Sequence, residues 1–179
     1  LKHMDTGSWS LSARLDKAAS ATVPALTLNG SATVVSLPVG FGVSATTVTA
    51  PVATQTACAA GQSVSCDAAA GADAKVSAAG SSFSAIVSAA LWTVAGDANL
   101  SDNPVAPGYA GAVALSPALA APSGGSVGAL GVGAVTLAGG QATVPAQSWS
   151  QAGAVRIFGS ASYQGQSINP AGAGQQTIL

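Results

Sequence analysis

Apolar and polar residues alternate with a period of two in several parts of the chain, and this alternation predicts β-strands. In the segment Trp9–Leu15 every second residue is apolar, which predicts a strand with one polar face. Alternation or enrichment in β-branched residues predicts further strands at 21–28, 31–36, 41–50, 83–91, 111–115, 133–137, 142–145 and 154–163. No stretch has a clear helical period, because the abundant Ala is interleaved with Gly, Ser, Thr, Val and Pro.

Turn signals separate these strands. Asn29-Gly30 and Gly139-Gly140 predict two tight hairpins, and Gln151–Gly153 predicts a turn. Residues 96–107 and 117–128 are rich in turn formers and are predicted to be loops. Strands separated by turns at intervals of about 8–12 residues are typical of a sandwich. The sequence therefore predicts an all-β fold with one or two immunoglobulin-like β-sandwich modules. A β-helix is the less favoured architecture, because no short fixed repeat is found.

Changes in composition suggest how the chain is divided. Four segments are expected: a cloning remnant at 1–4, an N-terminal β module at 5–50, a connection at 51–74 and an immunoglobulin-like sandwich at 75–179. The connection contains Cys58 and Cys66, whose spacing does not fit a C-x-x-C redox motif. We expect a local disulfide that staples this loop, with two buried thiols as the alternative. A disulfide would indicate an oxidising compartment.

Charged residues are unusually scarce. They make up 6% of the chain, compared with about 25% in an ordinary globular domain. Five Lys and Arg residues are too few and too scattered to form a nucleic-acid-binding patch. The long uncharged interval from 103 to 155 is interrupted by Pro and Gly, so we expect no membrane insertion within this fragment.

The same inventory argues against catalysis. The chain has no Glu, and its single His lies in the predicted cloning remnant, so a Ser-His-Asp site cannot be assembled. A hydrolase would need a pair of Asp residues, for which the spacing of Asp97 and Asp102 provides no fixed separation. We expect a protein that is not an enzyme and that needs no cofactor.

The most polar cluster of the chain lies between 97 and 103. Asp97, Asn99, Ser101 and Asp102 supply oxygen atoms at positions that resemble part of a calcium loop. The central Gly and the terminal bidentate Glu of the full loop motif are missing. The alternative is an Asx-rich turn whose side chains bind their own backbone. Ca²⁺ is thus the one candidate cofactor.

An aromatic residue precedes this cluster and suggests a second candidate site. Trp92, Asn103 and Tyr109 have the composition of a small sugar site, in which an aromatic platform stands beside polar groups. The alternative is that Trp92 is a core anchor of the sandwich, as is also expected for Trp9 and Trp149.

Five segments resemble a known family when they are taken in order. They are LPVGFGVS at 37–44, WTVAGDANLSDN at 92–103, GAVAL at 111–115, the Gly-rich segment 121–132 and WSQAG at 149–153. Together they resemble the uncharacterised β-rich region of MshQ-like proteins, which are encoded with mannose-sensitive haemagglutinin type IV pili. The resemblance implies a secreted, surface-associated protein of a Gram-negative bacterium with immunoglobulin-like modules. It transfers no catalytic residue.

The functional expectation combines these observations. We expect a non-enzymatic extracellular structural or adhesive module, associated with a type IV pilus or the bacterial cell surface. Its expected partners are pilus or surface proteins and glycans. The alternative is a carbohydrate- or calcium-dependent binding module centred on the loop Trp92–Asn103.

Overall fold

The computed structural model describes residues 6–22, 25–48, 79–95, 97, 100–121, 124–168 and 177–178. Within these ranges the secondary structure consists of ten strands and one 3-10 turn, which confirms the all-β prediction. The elements are β1 (Gly7–Lys17), β2 (Leu26–Ser36), β3 (Gly40–Val48), β4 (Ser82–Ala90), the 3-10 turn Leu100–Asp102, β5 (Gly111–Ala121), β6 (Ala134–Leu137), β7 (Gln141–Ser148), β8 (Ala154–Tyr163), β9 (Gln166–Ile168) and β10 (Thr177–Ile178). A search of the described residues for a membrane-spanning helix finds none that is long and apolar enough.

Strands β1 and β2 form a two-stranded antiparallel sheet of their own. Their register is regular from the pair Gly7–Ser36 to the pair Lys17–Leu26. The predicted strand at Trp9–Leu15 is confirmed. The predicted hairpin turn at Asn29-Gly30 is wrong, because both residues lie inside β2 and pair with Arg14 and Ala13.

The long register of this hairpin explains the error. The alternation of β2 continues through Gly30, which occupies an apolar-face position opposite Ala13. A turn at Asn29-Gly30 would give up the pairing of two eleven-residue strands, whereas the connection at 18–25 preserves all of it. Cross-strand pairing of the whole segment therefore outweighs the local preference of Asn-Gly for a turn.

The remaining strands form two further sheets. The first has the order β3-β4-β7, and the second has the order β10-β8-β5-β6, with β9 paired to β8. Because β3 is hydrogen-bonded to β4, residues 40–48 share a sheet with the later strands, whereas the sequence placed them in the N-terminal module. The connection predicted at 51–74 lies outside the described residues.

One shared hydrophobic core lies between these two sheets. Its buried residues come from both sheets and from the connections between β4 and β5 and between β7 and β8: Phe41, Val43, Phe83, Ala85, Val87, Ala89, Ala106, Tyr109, Val113, Leu115, Leu137, Val144, Trp149, Val155, Ile157 and Ile168. Trp149 is buried as predicted, but Trp9 is 42% exposed on the hairpin, so the prediction that it is a core anchor is wrong.

The two sheets come closest where β3 faces β8. A Cβ atom placed on Gly159 would lie 2.7 Å from Cβ of Phe41 and 3.0 Å from Cγ1 of Val113. A side chain at position 159 would therefore push the sheets apart. Gly in a strand often marks such a close approach.

The predicted tight turn at Gly139-Gly140 is confirmed, although its strands separate. Both glycines have positive φ, at 60° and 79°, a conformation that side chains with a Cβ rarely adopt. The turn is closed by a bridge between Ala138 and Gln141. Beyond it β6 joins one sheet and β7 joins the other, so the turn carries the chain across the core.

Strand β5 is longer than the sequence predicted. The loop expected from 117 onward begins later, because Pro117 lies within β5 and pairs with Ile157. Strand β6 covers only the part of β5 up to Ala114. Proline is tolerated at position 117 because, among the described residues, this stretch of β5 has a neighbouring strand on one side only.

The end of the chain contributes one predicted strand and two that the sequence did not predict. Strand β8 has the predicted bounds, whereas β9 follows it through a turn at Gln164-Gly165, where both φ angles are positive. Strand β10 pairs with β8 at Arg156 and Val155. The intervening residues 169–176 lie outside the described residues.

A buried glutamine fixes the segment before β6 to the end of β7. The Gln147 side chain donates to the carbonyl of Val132 at 2.8 Å and accepts from the N–H of Val132 at 2.9 Å. Its oxygen also accepts from the N–H of Ser148. Two residues further on, the indole of Trp149 donates to the carbonyl of Val127 at 2.7 Å. These bonds allow a polar side chain to be buried without an orphaned group.

We predict that Gln147→Leu destabilises the fold by about 2–4 kcal/mol, because it leaves the N–H and carbonyl of Val132 without their partners. The matched control is Gln141→Leu, since the side-chain amide of the exposed Gln141 donates to the hydroxyl of Ser88, and a loss below about 1 kcal/mol is expected. Chemical denaturation measures both free energies of unfolding. Equal stability of the two variants would contradict the role assigned to Gln147.

Candidate functional site

The candidate binding residues lie in the connection between β4 and β5, and the base of this connection is tightly held. The N–H of Leu91 donates to the carbonyl of Pro104 at 2.8 Å, and the N–H of Ala106 donates to the carbonyl of Ala89 at 2.8 Å. Ala90 and Val105 form an isolated bridge between these bonds. The segment that follows Leu91 therefore leaves the sheet as a loop whose two ends are paired.

Two glycines of β3 form the seat of the 3-10 turn. A Cβ on Gly42 would lie 2.5 Å from the carbonyl oxygen of Leu100 and 2.6 Å from Cα of Ser101. A Cβ on Gly40 would lie 2.7 Å from Cδ1 of Leu100. The turn thus rests on bare backbone, and the buried Leu100 anchors it. The alternation of Gly with Phe41 therefore has a structural purpose, since Phe41 points into the core.

A hydrogen-bonded group of side chains joins the two sides of the loop. The hydroxyl of Thr93 lies 3.0 Å from Oδ2 of Asp97 and 3.4 Å from Oδ1 of Asn103. It has one proton, and the shorter contact favours donation to Asp97. The amide of Asn103 donates to the carbonyl of Leu91 at 3.0 Å. The two ends of the loop are thus joined by side chains that bond to one another and to the backbone at Leu91.

Trp92 directly precedes Thr93 in the chain and is 62% exposed. Its neighbour Val94 is also exposed. The sequence left open whether Trp92 is a core anchor or a surface platform, and the structure places the side chain at the surface. Trp92 and Asn103 lie in the same loop, between β4 and β5, and Thr93, the residue after Trp92, contacts Asn103.

Three of the four residues predicted as calcium ligands lie within the described part of the chain. Asp97 and Ser101 are half-buried, Asp102 is exposed, and Asn99 lies outside the described residues. Across the described ranges, no three His, Cys, Asp or Glu residues lie close enough to hold a metal ion. The calcium site and its alternative, the Asx-rich turn, both stay predictions: Asp97 contacts the side chain of Thr93, and Asn103 donates to the carbonyl of Leu91, which lies outside the cluster.

Tyr109 is separated from the loop surface. It is fully buried, with its ring 5.4 Å from that of Phe41 and 5.1 Å from that of Tyr163, measured between centroids. Its hydroxyl has no hydrogen-bond partner within the described part of the chain. Burial raises the pKa of this hydroxyl above its ordinary value, and the neighbouring Tyr163 raises it further. The ring cannot serve as a surface platform beside Trp92, since the core already covers it.

The predicted disulfide between Cys58 and Cys66 lies outside the described residues. It stays a prediction.

Sequence reasoning missed two contributors to this site. Thr93 was not singled out, although it contacts both Asp97 and Asn103. The seat formed by Gly40 and Gly42 was also missed. The signal available was the repeated Gly within a predicted strand, a pattern that often indicates close approach of another backbone.

We predict that Gly42→Ala destabilises the protein by about 1–3 kcal/mol, because the added methyl group overlaps the backbone of the 3-10 turn. Gly30→Ala is the matched control, since no atom lies within 4 Å of a Cβ at that position. Its effect should stay within about 0.5 kcal/mol. Thermal unfolding measures the stability, and the hydrogen-exchange rates of the amides at 100–102 show whether the turn keeps its protection. A stable Gly42→Ala variant with unchanged exchange would contradict the proposed seat.

Comparison with known proteins gives one match. A search of curated proteins and a search of solved structures each returned no significant similarity. The sequence model of a protein family, described as DUF6701, second domain, matches residues 37–148. The matched range begins directly after β2 and includes the strands β3 to β7 and the whole candidate loop. Since this range is more than half of the chain, the protein belongs to the DUF6701 family.

Proposed function

We propose that this protein is a non-enzymatic structural or adhesive module of a Gram-negative cell-surface protein, associated with a type IV pilus. The carrying observation is the family match over 37–148, together with the order of short segments that resemble MshQ-like proteins. The family match and the order of the similar segments both extend over many residues, so neither depends on the identity of one residue. The family description itself names a domain and no activity.

The composition and packing of the sandwich support an extracellular setting. The 80 residues between Lys75 and Arg156 contain no Lys or Arg, so trypsin-like proteases find no cleavage site there. The buried hydrogen bonds of Gln147 and Trp149 tie a long Gly-rich segment to a strand instead of leaving it loose. Both features favour a module that survives outside the cell.

The arrangement of the sheets is the basis for proposing an immunoglobulin-like sandwich. A three-stranded sheet faces a larger one across a shared core, and the chain crosses between the sheets after β4, β6 and β7. Repeated crossing of this kind is usual in immunoglobulin-like domains. Such domains commonly occur in series in surface proteins and present their loops at the two ends of the sandwich.

We predict that antiserum against this chain labels intact cells of the source bacterium. A strain that lacks the gene separates the two roles. Loss of pili indicates a role in assembly, whereas retained pili with reduced attachment indicate an adhesive role. Electron microscopy and attachment assays make the measurements, and complementation with the intact gene is the control. Absence of label on intact cells, with the protein found inside them, would overturn the proposal.

A binding module centred on Trp92–Asn103 is the second candidate, and the exposure of Trp92 favours it. Trp92 is exposed and precedes Thr93, whose hydroxyl contacts Asp97 and Asn103, so a ligand that reached both would find stacking and hydrogen bonding. These are the two kinds of contact that sugars use, and Ca²⁺ could add a third if it binds the carboxylates. Glycans are therefore the proposed ligands of this loop.

We predict that a glycan recognised by this loop loses about tenfold in affinity in Trp92→Ala, because the stacking surface is removed. Val94→Ala is the matched control, as Val94 is similarly exposed but lies outside the hydrogen-bonded group. A glycan panel with and without Ca²⁺ identifies the ligand, and calorimetry measures its affinity. Equal losses in both variants would reject the platform. A melting temperature that is the same in Ca²⁺ and in EDTA would reject the calcium site.

A further inference from the structure

The hairpin formed by β1 and β2 has one apolar face that nothing in the described structure covers. The six large residues on this face are between 42% and 66% exposed: Trp9, Leu11, Leu15, Leu26, Leu28 and Val34. The register places them together, since Trp9 pairs with Val34 and Leu15 pairs with Leu28. Isolated apolar residues at a surface are ordinary, but a continuous face of this kind indicates a binding surface.

The opposite face of the hairpin is built to meet water. It carries Ser and Thr in most positions, and Val35 is its single large apolar residue. Arg14 and Asp16 form an ion pair at 2.9 Å, and the hydroxyl of Thr27 donates to Asp16 at 2.7 Å. The two faces therefore differ sharply, so one layer of protein is expected on the apolar side only.

A ribbon of two strands is also an incomplete sheet. Among the described residues β1 and β2 pair only with each other, which leaves one edge of each strand without a partner. Two-stranded ribbons are at best marginally stable in water unless more strands or a covering layer are added. We therefore expect the hairpin to be stable only as part of a larger β domain.

The boundary of the family match indicates to which domain the hairpin belongs. The match to the second domain begins at Leu37, one residue after β2 ends at Ser36. The hairpin thus lies on the N-terminal side of that boundary, where a first domain precedes a second. A partner on the same polypeptide has a far higher effective concentration than a separate molecule, often in the millimolar range.

We propose that the hairpin is the last pair of strands of the domain that precedes residues 37–148 in the natural polypeptide. That domain covers the face formed by Trp9, Leu11, Leu15, Leu26, Leu28 and Val34. Its covering layer is an apolar sheet face, and an added strand pairs with the free edge of β1 or β2. This inference concerns domain organisation and does not depend on the proposed surface function.

Hydrogen exchange tests the proposal in two purified polypeptides, namely the 179-residue chain and the longer natural polypeptide that includes the preceding domain. Amides at 7–36 should exchange at least about a hundredfold more slowly in the longer polypeptide, because the hairpin becomes part of a cooperative unit. Amides at 82–90 belong to β4, in the sheet β3-β4-β7, and serve as the internal reference. Equal exchange of the hairpin in both polypeptides would overturn the proposal.

A pair of charged substitutions tests which face is covered. In the longer polypeptide, Leu11→Lys should restore fast exchange at 7–36, because it places a charge at the buried face. Ser12→Lys, at the adjacent position on the polar face, should leave the protection unchanged. Equal effects of the two substitutions would contradict the assignment of the covered face.

Sedimentation distinguishes the preceding domain from a second copy of the chain. The 179-residue chain should sediment as a monomer at micromolar concentration. A dimer that Leu11→Lys dissociates and Ser12→Lys preserves would overturn the proposal, because a second copy would then cover the face.

Discussion

The close approach of Phe41 to the backbone at Gly159 sets the distance between the two sheets, and much of the fold follows from this spacing. Aromatic residues are 4% of the chain, so large side chains cannot fill a wide core. The sheets instead come near enough for Ala and Val to supply half of the buried core residues between them. The ring of Tyr109 contacts those of both Phe41 and Tyr163 and extends the aromatic part of the core. Glycine at the contact point thus lets a chain with few aromatic residues form one core shared by both sheets.

Glycines also let the connecting segments pack closely against the strands and turns. Gly42 receives the 3-10 turn, and Gly140 packs against the carbonyl of Ala106. In each case the neighbouring backbone occupies the space of a missing side chain, so glycine is a packing element at these positions. Hydrogen bonds from buried side chains then supply what hydrophobic contacts cannot, as Gln147 does for Val132. The low charge and the high content of small residues are therefore consistent with a rigid protein.

The sequence was sufficient to predict strands whose alternation is uninterrupted, such as β1, β4 and β8. It failed at Asn29-Gly30 and at Pro117, where local preference pointed to turns and longer-range pairing decided otherwise. For the candidate site, the loop and its polar residues were predictable from composition. The burial of Tyr109 and the exposure of Trp92 were not, because each depends on where the second sheet lies. Period-two patterns specify which face a strand residue occupies, but they do not apply to residues in connections.

The position of Trp92 bears on both candidate roles of the loop. Val39 donates its N–H to the carbonyl of Ala90, so the chain enters β3 beside the residues that lead into Trp92. Three residues separate the end of β2 from the start of β3, so the Ser36 end of the hairpin lies near this point of the sheet. Val39 is exposed there, as are Trp92 and Val94. A domain built around the hairpin would therefore lie near the loop and compete with a glycan for the indole face. A glycan that binds the 179-residue chain but not the longer polypeptide would assign Trp92 to the junction between domains, whereas equal binding to both would assign it to a free binding surface.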